Sequence, residues 1–311
     1  MEKKSKIYVA GHNGLVGSTI VKKLKESGYK NILTFSSKDF DLREKEGVNY
    51  IFDNYKIDYV FLSAAKVGGI MANSSKKAEF IYDNLSIQTN VIHKAYQSGV
   101  KKLCFLGSSC IYPKLAEQPI KEEYFLTGKL EETNDSYAIA KIAGIQMCKS
   151  YKDQYEFNTI SLMPTNIYGP NDNFSLESGH VIPALINKIH EAKTKKYKEI
   201  VCWGTGSAKR EFLYVDDLAE ACIFCMNNYE NSDIINVGTG VDITIKKLVY
   251  TLCSIIEYEG SVIWDHTKPD GMPRKLLDVS KLSNFGWKAK TKFEDGLTQT
   301  YEWYKKRINY V

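Results

Sequence analysis

Lys6-Ile7-Tyr8-Val9-Ala10-Gly11-His12-Asn13-Gly14-Leu15-Val16-Gly17 is the stretch that decides the fold. Its first five residues read as a buried strand. The glycines follow at Gly-x-x-Gly-x-x-Gly spacing, one residue different from the Gly-x-Gly-x-x-Gly dinucleotide fingerprint. A helical pattern then begins, with Ile20, Val21 and Leu24 on one face. Glycine permits a tight turn and lets backbone approach a pyrophosphate, which then rests on the helix N-terminus. A glycine triad alone is a common structural turn. Placed between a strand and a helix, it reads as a dinucleotide site.

Outward from this loop, apolar runs at 6–10, 32–35, 59–64, 103–106 and 159–163 read as strands. Amphipathic stretches at 18–27, 78–98 and 137–151 read as helices between them. This alternation predicts an α/β fold, a Rossmann-type doubly wound parallel sheet with ligands at the strand C-terminal ends. After Pro164 the texture shifts to turns, Trp residues and short segments, with loop signals at Gly238-Thr239-Gly240 and 268–273. Residues 1–165 are expected to form the cofactor domain, with 205–240 returning to it and 212–226 rejoining the main sheet. Residues 166–204 and 241–311 are expected to form a smaller α/β substrate lobe.

Tyr137 and Lys141 lie four apart and share a helix face. An ammonium beside a phenol favours the phenolate, so Lys141 is expected to lower the Tyr137 pKa. Ser108 stands just past the 103–106 strand, where its hydroxyl reaches an active-site edge. Ser, Tyr and Lys in this arrangement suit hydride chemistry at a C–O carbon, and Cys110 adds a second proton carrier. Tyr-x-x-x-Lys alone is often a solvated helix pair; the glycine loop gives it weight.

The 311 residues carry a net charge of +5 and no long block of like charge, so no nucleic-acid partner is implied. No apolar run approaches the roughly 20 residues of a membrane span, and the start leads directly into the first strand without a signal-peptide pattern. The seven cysteines are odd in number and irregularly spaced, which suggests reduced thiols and a cytoplasmic setting. Cys222 and Cys225 have redox-motif spacing but fall in an apolar helical pattern, where buried thiols are expected. His12, His93, His190 and His266 take structural readings, and no His, Cys or carboxylate cluster has metal-ligand spacing.

The assembled residues are those of the extended short-chain dehydrogenase/reductase superfamily. Within it, the chain resembles the GDP-L-fucose synthase family from about Lys6 to about Tyr304. The segments carrying the resemblance begin with Ala64-Ala65-Lys66-Val67-Gly68-Gly69-Ile70, Gly107-Ser108-Ser109-Cys110-Ile111-Tyr112-Pro113-Lys114 and Tyr137-Ala138-Ile139-Ala140-Lys141-Ile142-Ala143-Gly144. They continue with Met163-Pro164-Thr165-Asn166-Ile167-Tyr168-Gly169-Pro170, His180-Val181-Ile182-Pro183-Ala184, Arg210-Glu211-Phe212-Leu213-Tyr214-Val215-Asp216-Asp217 and Lys268-Pro269-Asp270-Gly271-Met272-Pro273-Arg274-Lys275. The resemblance implies NADPH-dependent 3,5-epimerisation and 4-reduction of a GDP-4-keto-6-deoxy sugar by a homodimer. It assigns Cys110 and His180 as the acid–base pair, Ser108, Tyr137 and Lys141 to the reduction, and Ser109, Lys188, Trp203, Arg210 and Asp270 to the GDP-sugar. The implied NADP(H) cleft takes Gly11, His12, Asn13, Gly14, Leu15, Val16 and Gly17, then Ser36, Ser37, Lys38, Asp41, Leu42, Ala64 and Ala65. It continues through Leu106, Gly107, Lys141, Pro164, Thr165, Asn166, Ile167 and His180.

Two departures stand out. The family carries arginines that grip the NADP 2′-phosphate where this chain has Asn13 and Phe35-Ser36-Ser37-Lys38. An NAD site places an acid near that position; here the nearest is Asp39, beyond two hydroxyls and a Lys that suit a phosphate, so NADPH is expected. Gly179, in the loop before His180, and Lys188 also differ from the family pattern. The alternatives are therefore a reductase-only enzyme acting on a related GDP-4-keto sugar such as a heptose, and a non-catalytic cofactor-binding sensor.

Overall fold

The structure is a computed structural model that describes residues 1–268 and 270–308. Pro269 of the 268–275 motif and residues 309–311 of the expected substrate lobe lie outside the described residues. The first half runs β1 (Ile7–Ala10), α1 (Leu15–Glu26), β2 (Ile32–Leu33), α2 (Lys45–Asn54), β3 (Tyr59–Leu62), α3 (Ile70–Ser75), α4 (Lys77–Gln97), β4 (Lys102–Leu106), α5 (Asp135–Tyr155) and β5 (Thr159–Pro164). The second half runs β6 (Asn166–Tyr168), α6 (Val181–Thr194), β7 (Glu199–Trp203), β8 (Lys209–Tyr214), α7 (Val215–Asn228), β9 (Ile235–Val237), β10 (Asp242–Thr244), α8 (Ile245–Ile256), β11 (Ser261–Asp265), β12 (Arg274–Lys275), α9 (Ser280–Asn284) and α10 (Phe293–Ile308).

The main sheet has six strands in the order β2-β1-β3-β4-β5-β9, and every pair in it is parallel. Its central strands read as continuous apolar runs because helices cover both faces. Side chains alternate by face along each strand. Ile7 and Val9 pack with Ile20, Leu24, Leu162, Leu218 and Cys222, beneath α1 and α7. Tyr8 and Ala10 pack with Val48, Phe52, Val91, Phe105 and Ile145, beneath α2, α4 and α5. The strand order reverses direction beside β1, which puts the glycine loop at the crevice where such sheets bind ligands.

The sequence expectation fails at one strand. β8 does not rejoin the main sheet. It pairs antiparallel with β10 and parallel with β12 and β6. α7 returns to cover the main sheet, and β9 supplies its sixth strand. The reason lies in β6, which leaves β5 after Pro164 and offers β8 an edge at Asn166–Tyr168. A third core gathers Ile182 and Ile186 of α6, Leu248 and Leu252 of α8, Leu297 of α10, and Phe212 and Tyr214 of β8.

Candidate active site

The glycine loop has the backbone that its residues require. Gly11 has φ +86°, a region that glycine occupies without strain. A Cβ on Gly11 would lie 2.6 Å from the Ala64 nitrogen, and one on Gly17 would lie 2.1 Å from the Gly11 oxygen. Gly14 caps α1 without any side-chain hydrogen bond, so the first-turn N–H groups remain available to a phosphate. Nδ1 of His12 is buried with no hydrogen-bond partner among the described residues. Open N–H groups and an unpaired buried nitrogen are what a pyrophosphate cleft presents, so these residues fit a dinucleotide.

At the end of β2, Ser36 donates through both its N–H and its hydroxyl to Asp39 Oδ2, at 3.1 and 2.6 Å. Ser37 is partly exposed and Lys38 is exposed. The Asp41 carboxylate, placed among the cofactor contacts by resemblance, is engaged by Arg43. Arg43 also reaches Asp83, which pairs with Lys66. Lys66 is thereby committed to Asp83 and Glu79.

α5 is held close to the sheet. A Cβ on Gly144 would lie 2.4 Å from the Phe105 ring, and Gln88 of α4 donates to Ala140 O at 2.6 Å. This packing seats Lys141 in the interior, where its Nζ donates to Leu106 O at 2.8 Å and lies 5.8 Å from the Tyr137 ring centroid. Burial pulls the Lys141 pKa down to about 8. It raises that of Tyr137, with the nearby Cys110 adding to the rise and the Ser108 hydroxyl opposing it. The expected lowering of Tyr137 by Lys141 is therefore overturned. Desolvation outweighs the ammonium, which is anchored on the β4 carbonyl. A phenol held protonated is a proton donor rather than a standing base.

Ser108 is extended, and its Oγ accepts from the Cys110 N–H at 3.2 Å, turning the thiol back beside the serine. Of the seven cysteines, Cys110 alone is not buried. Its sulfur receives Asn134 Nδ2 at 3.4 Å and Lys275 Nζ at 3.6 Å. Cys222 and Cys225 are core thiols, as read from the sequence. Ser109 is only 3 % exposed, which leaves it little surface to offer a sugar.

His180 caps α6, and its side chain is 46 % exposed. The preceding loop is tied to the segment after β3, where the Gly69 N–H donates to Ser178 O at 3.0 Å. A Cβ on the adjacent Gly68 would lie 3.2 Å from Phe80, whose ring stands edge-on to Tyr137 at 6.4 Å. Asn84 of α4 clamps that segment, bonding both the N–H and the carbonyl of Lys66 at 3.0 Å. Asn84, Asn134 and Lys275 were not singled out by sequence reasoning. For Asn84 the available signal was a polar residue at a core position of a helix; Asn134 and Lys275 are brought to the thiol by tertiary packing.

A second cluster forms where β7, β8 and the 265–275 segment meet. Trp203 is 56 % exposed, with Lys268 Nζ 5.8 Å from its ring centroid. Asp270 accepts from the N–H and hydroxyl of Thr205, both at 2.7 Å, and these bonds hold its carboxyl below the usual range. Arg210 is close by: a Cβ on Gly271 would lie 3.5 Å from its Nη2. Lys188 donates to Val201 O at 2.8 Å. An exposed indole flanked by cations suits a purine ring joined to phosphates.

The NAD dependent epimerase/dehydratase family matches residues 7–238. A putative GDP-L-fucose synthase of Arabidopsis thaliana is 55 % identical over 99 % of this chain and 94 % of its own. The GDP-L-fucose synthase of Escherichia coli K12 is 48 % identical over 97 % of each chain. Among solved structures, a GDP-mannoheptose C4 reductase of Campylobacter jejuni with NADP bound superimposes with a TM-score of 0.89. It is 38 % identical, over 98 % of this chain and 99 % of that one. The sheet, glycine loop and Ser-Tyr-Lys group define an extended short-chain oxidoreductase of nucleotide sugars. The chain belongs to the NAD dependent epimerase/dehydratase family and, within it, to the GDP-L-fucose synthase family.

Proposed function

We propose that this protein epimerises a GDP-4-keto-6-deoxymannose at carbons 3 and 5 and reduces its 4-ketone with NADPH. The observation that carries the reading is Cys110, the one cysteine outside the core, held beside Ser108 and Tyr137. The 4-ketone acidifies the hydrogens on carbons 3 and 5. Ser108 and Tyr137 hydrogen-bond the ketone oxygen and stabilise the negative charge that develops there. Cys110 and His180 remove a proton from one face of the ring and return one to the other. The glycine loop would hold NADPH, which when bound would supply the hydride for carbon 4. Tyr137 gives its proton to the resulting oxygen, and Lys141 holds the cofactor ribose. Trp203, Arg210, Lys188 and Asp270 hold the GDP portion. The first 165 residues, joined by α7 and β9, form the cofactor unit, and the remainder forms the substrate lobe.

The test is deuterium wash-in at carbons 3 and 5 in heavy water without NADPH, followed in the proton spectrum. Wild type should exchange both positions. Cys110→Ser should slow exchange by about a hundredfold or more while permitting reduction, because a hydroxyl is too weak an acid to cycle near neutrality. Similarity to the heptose C4 reductase favours a second reading, a reductase without epimerase activity. In that case wild type itself shows no exchange yet reduces a pre-epimerised 4-keto sugar.

Lys38, exposed in the turn that follows β2, takes the NADP 2′-phosphate. Losing a hydrogen bond to a charged group costs about 1.5–3 kcal/mol. Lys38→Ala is therefore expected to weaken NADPH binding by roughly tenfold or more and leave NADH binding unchanged. An equal loss for both cofactors in a fluorescence titration rejects this role.

The protein pairs α4 and α5 with their copies in a homodimer. Tyr82 and Tyr155 stand 63 % and 44 % exposed on these helices, and Ile139 stands 46 % exposed. Covering such area contributes about 25 cal/mol per Å2. Light scattering at micromolar concentration should give twice the chain mass; a monomer rejects the pairing. Seven free thiols fit a reducing, cytoplasmic location. Among the described residues, no helix is long and apolar enough to cross a membrane.

A further inference from the structure

We propose that Asp172 is a positioning residue for His180. Its buried carboxylate accepts the Nδ1 proton of the imidazole, which fixes the ring and its tautomer and leaves Nε2 to exchange protons with the sugar. The functional part of this inference rests on the epimerase reading above.

Asp172 is 7 % exposed. Its Oδ1 accepts from the Asn173 N–H at 2.8 Å and lies 3.9 Å from His180 Nδ1. Its Oδ2 is buried with no hydrogen-bond partner among the described residues. A buried carboxylate with a single hydrogen-bond donor incurs a desolvation penalty that a further N–H donor reduces, and the imidazole lies on its Oδ1 side. The hydrogen bond made by one ring nitrogen decides which tautomer a histidine adopts. A gap of 3.9 Å is longer than a hydrogen bond, and such contacts tighten when substrate binds.

The loop between the two residues is built to bring them together. Asn173 Nδ2 donates to Ser178 Oγ at 3.0 Å, and the Gly179 N–H donates to Ser175 O at 3.0 Å. A Cβ on Gly179 would lie 2.4 Å from Asn173 O and 2.5 Å from Ser175 O. Glycine at 179, a departure from the family pattern, lets the chain fold back so that Asp172 reaches the next residue, His180.

The experiment uses the full-length protein with histidine ring nitrogens labelled with 15N, and His180→Asn to assign the signal. Wild-type His180 should show a protonated Nδ1 and an unprotonated Nε2 when neutral. Asp172→Asn removes the charge and puts an NH2 donor in place of one oxygen, so the Asn173 N–H and the ring compete for the one acceptor that remains. It should lose that tautomer and slow deuterium wash-in by roughly tenfold or more, with sugar affinity unchanged. Asp172→Glu should restore part of both. A wild-type His180 protonated on Nε2, or an Asp172→Asn protein with unchanged tautomer and exchange, overturns the proposal. Should Asp172→Asn not fold, the wild-type tautomer decides alone. Should wild type show no exchange, the epimerase reading fails, while the ring-nitrogen spectrum still decides whether Asp172 holds His180.

Discussion

Tyr137→Phe is expected to slow reduction by about 10²–10⁴-fold, the range that a well-placed general acid contributes. The substitution removes the hydroxyl and keeps the ring, so the edge-on contact with Phe80 survives. Burial holds the phenol protonated well past neutrality, as suits a group that delivers a proton to a developing alkoxide. Epimerisation leaves the ketone oxidation level unchanged and, under the proposed roles, draws its proton carriers from Cys110 and His180, so deuterium exchange should persist at least in part in the variant. Ser108 is expected still to donate to the carbonyl oxygen there. In the proposed mechanism Lys141 is expected to set the alkaline limit in wild type. It is charged below its pKa of about 8 and neutral above, so single-turnover reduction should decline as pH rises through that value. Near wild-type NADPH oxidation by Tyr137→Phe would remove the phenol from the proton-delivery role.

Much of this site was legible because its chemistry lies in contiguous segments. The glycine loop, the Ser-Ser-Cys turn and Tyr-x-x-x-Lys each sit at a strand end or on one helix face, where local spacing fixes geometry. α1, α4, α5 and the first five strands fall within a few residues of their expected bounds for the same reason. What escaped was set by long-range packing. β8 opens with Lys209, Arg210 and Glu211 and turns apolar only at Phe212–Tyr214, and the edge that β6 offers this apolar end lies far back in the chain. Lys102 begins β4 looking like a surface lysine, yet its ammonium is buried on the carbonyls of Cys225, Met226 and Tyr229 beneath α7. The Tyr137 pKa was misjudged because four-residue spacing brings Lys141 near but does not reveal the carbonyl that holds it.

Glu211 carries the second large effect, on stability rather than chemistry. It follows Arg210 on β8, so its side chain points to the opposite face, where it is 0 % exposed. Its Oε1 accepts from the N–H groups of Thr239 and Gly240 at 2.6 and 2.7 Å, and Oε2 accepts from the Leu277 N–H at 2.9 Å. One carboxylate thus joins β8 to the turn after β9 and to the segment after β12, which fixes the rim carrying Arg210 and Lys275. Burial raises its pKa above the usual 4.5, against the lowering by the three donors. The native state therefore binds more protons than the unfolded chain between 4.5 and the raised value, and stability falls as pH rises through that window. Glu211→Gln removes the charge but turns an NH2 toward one of three N–H donors, costing about 1–3 kcal/mol. Glu211→Ala strands all three buried donors and leaves a cavity, costing about 4 kcal/mol or more. In thermal melts followed by circular dichroism, the alanine variant should unfold roughly 10 °C below wild type, with glutamine between them. A glutamine variant as stable as wild type would mean that burying the charge costs as much as the three bonds return.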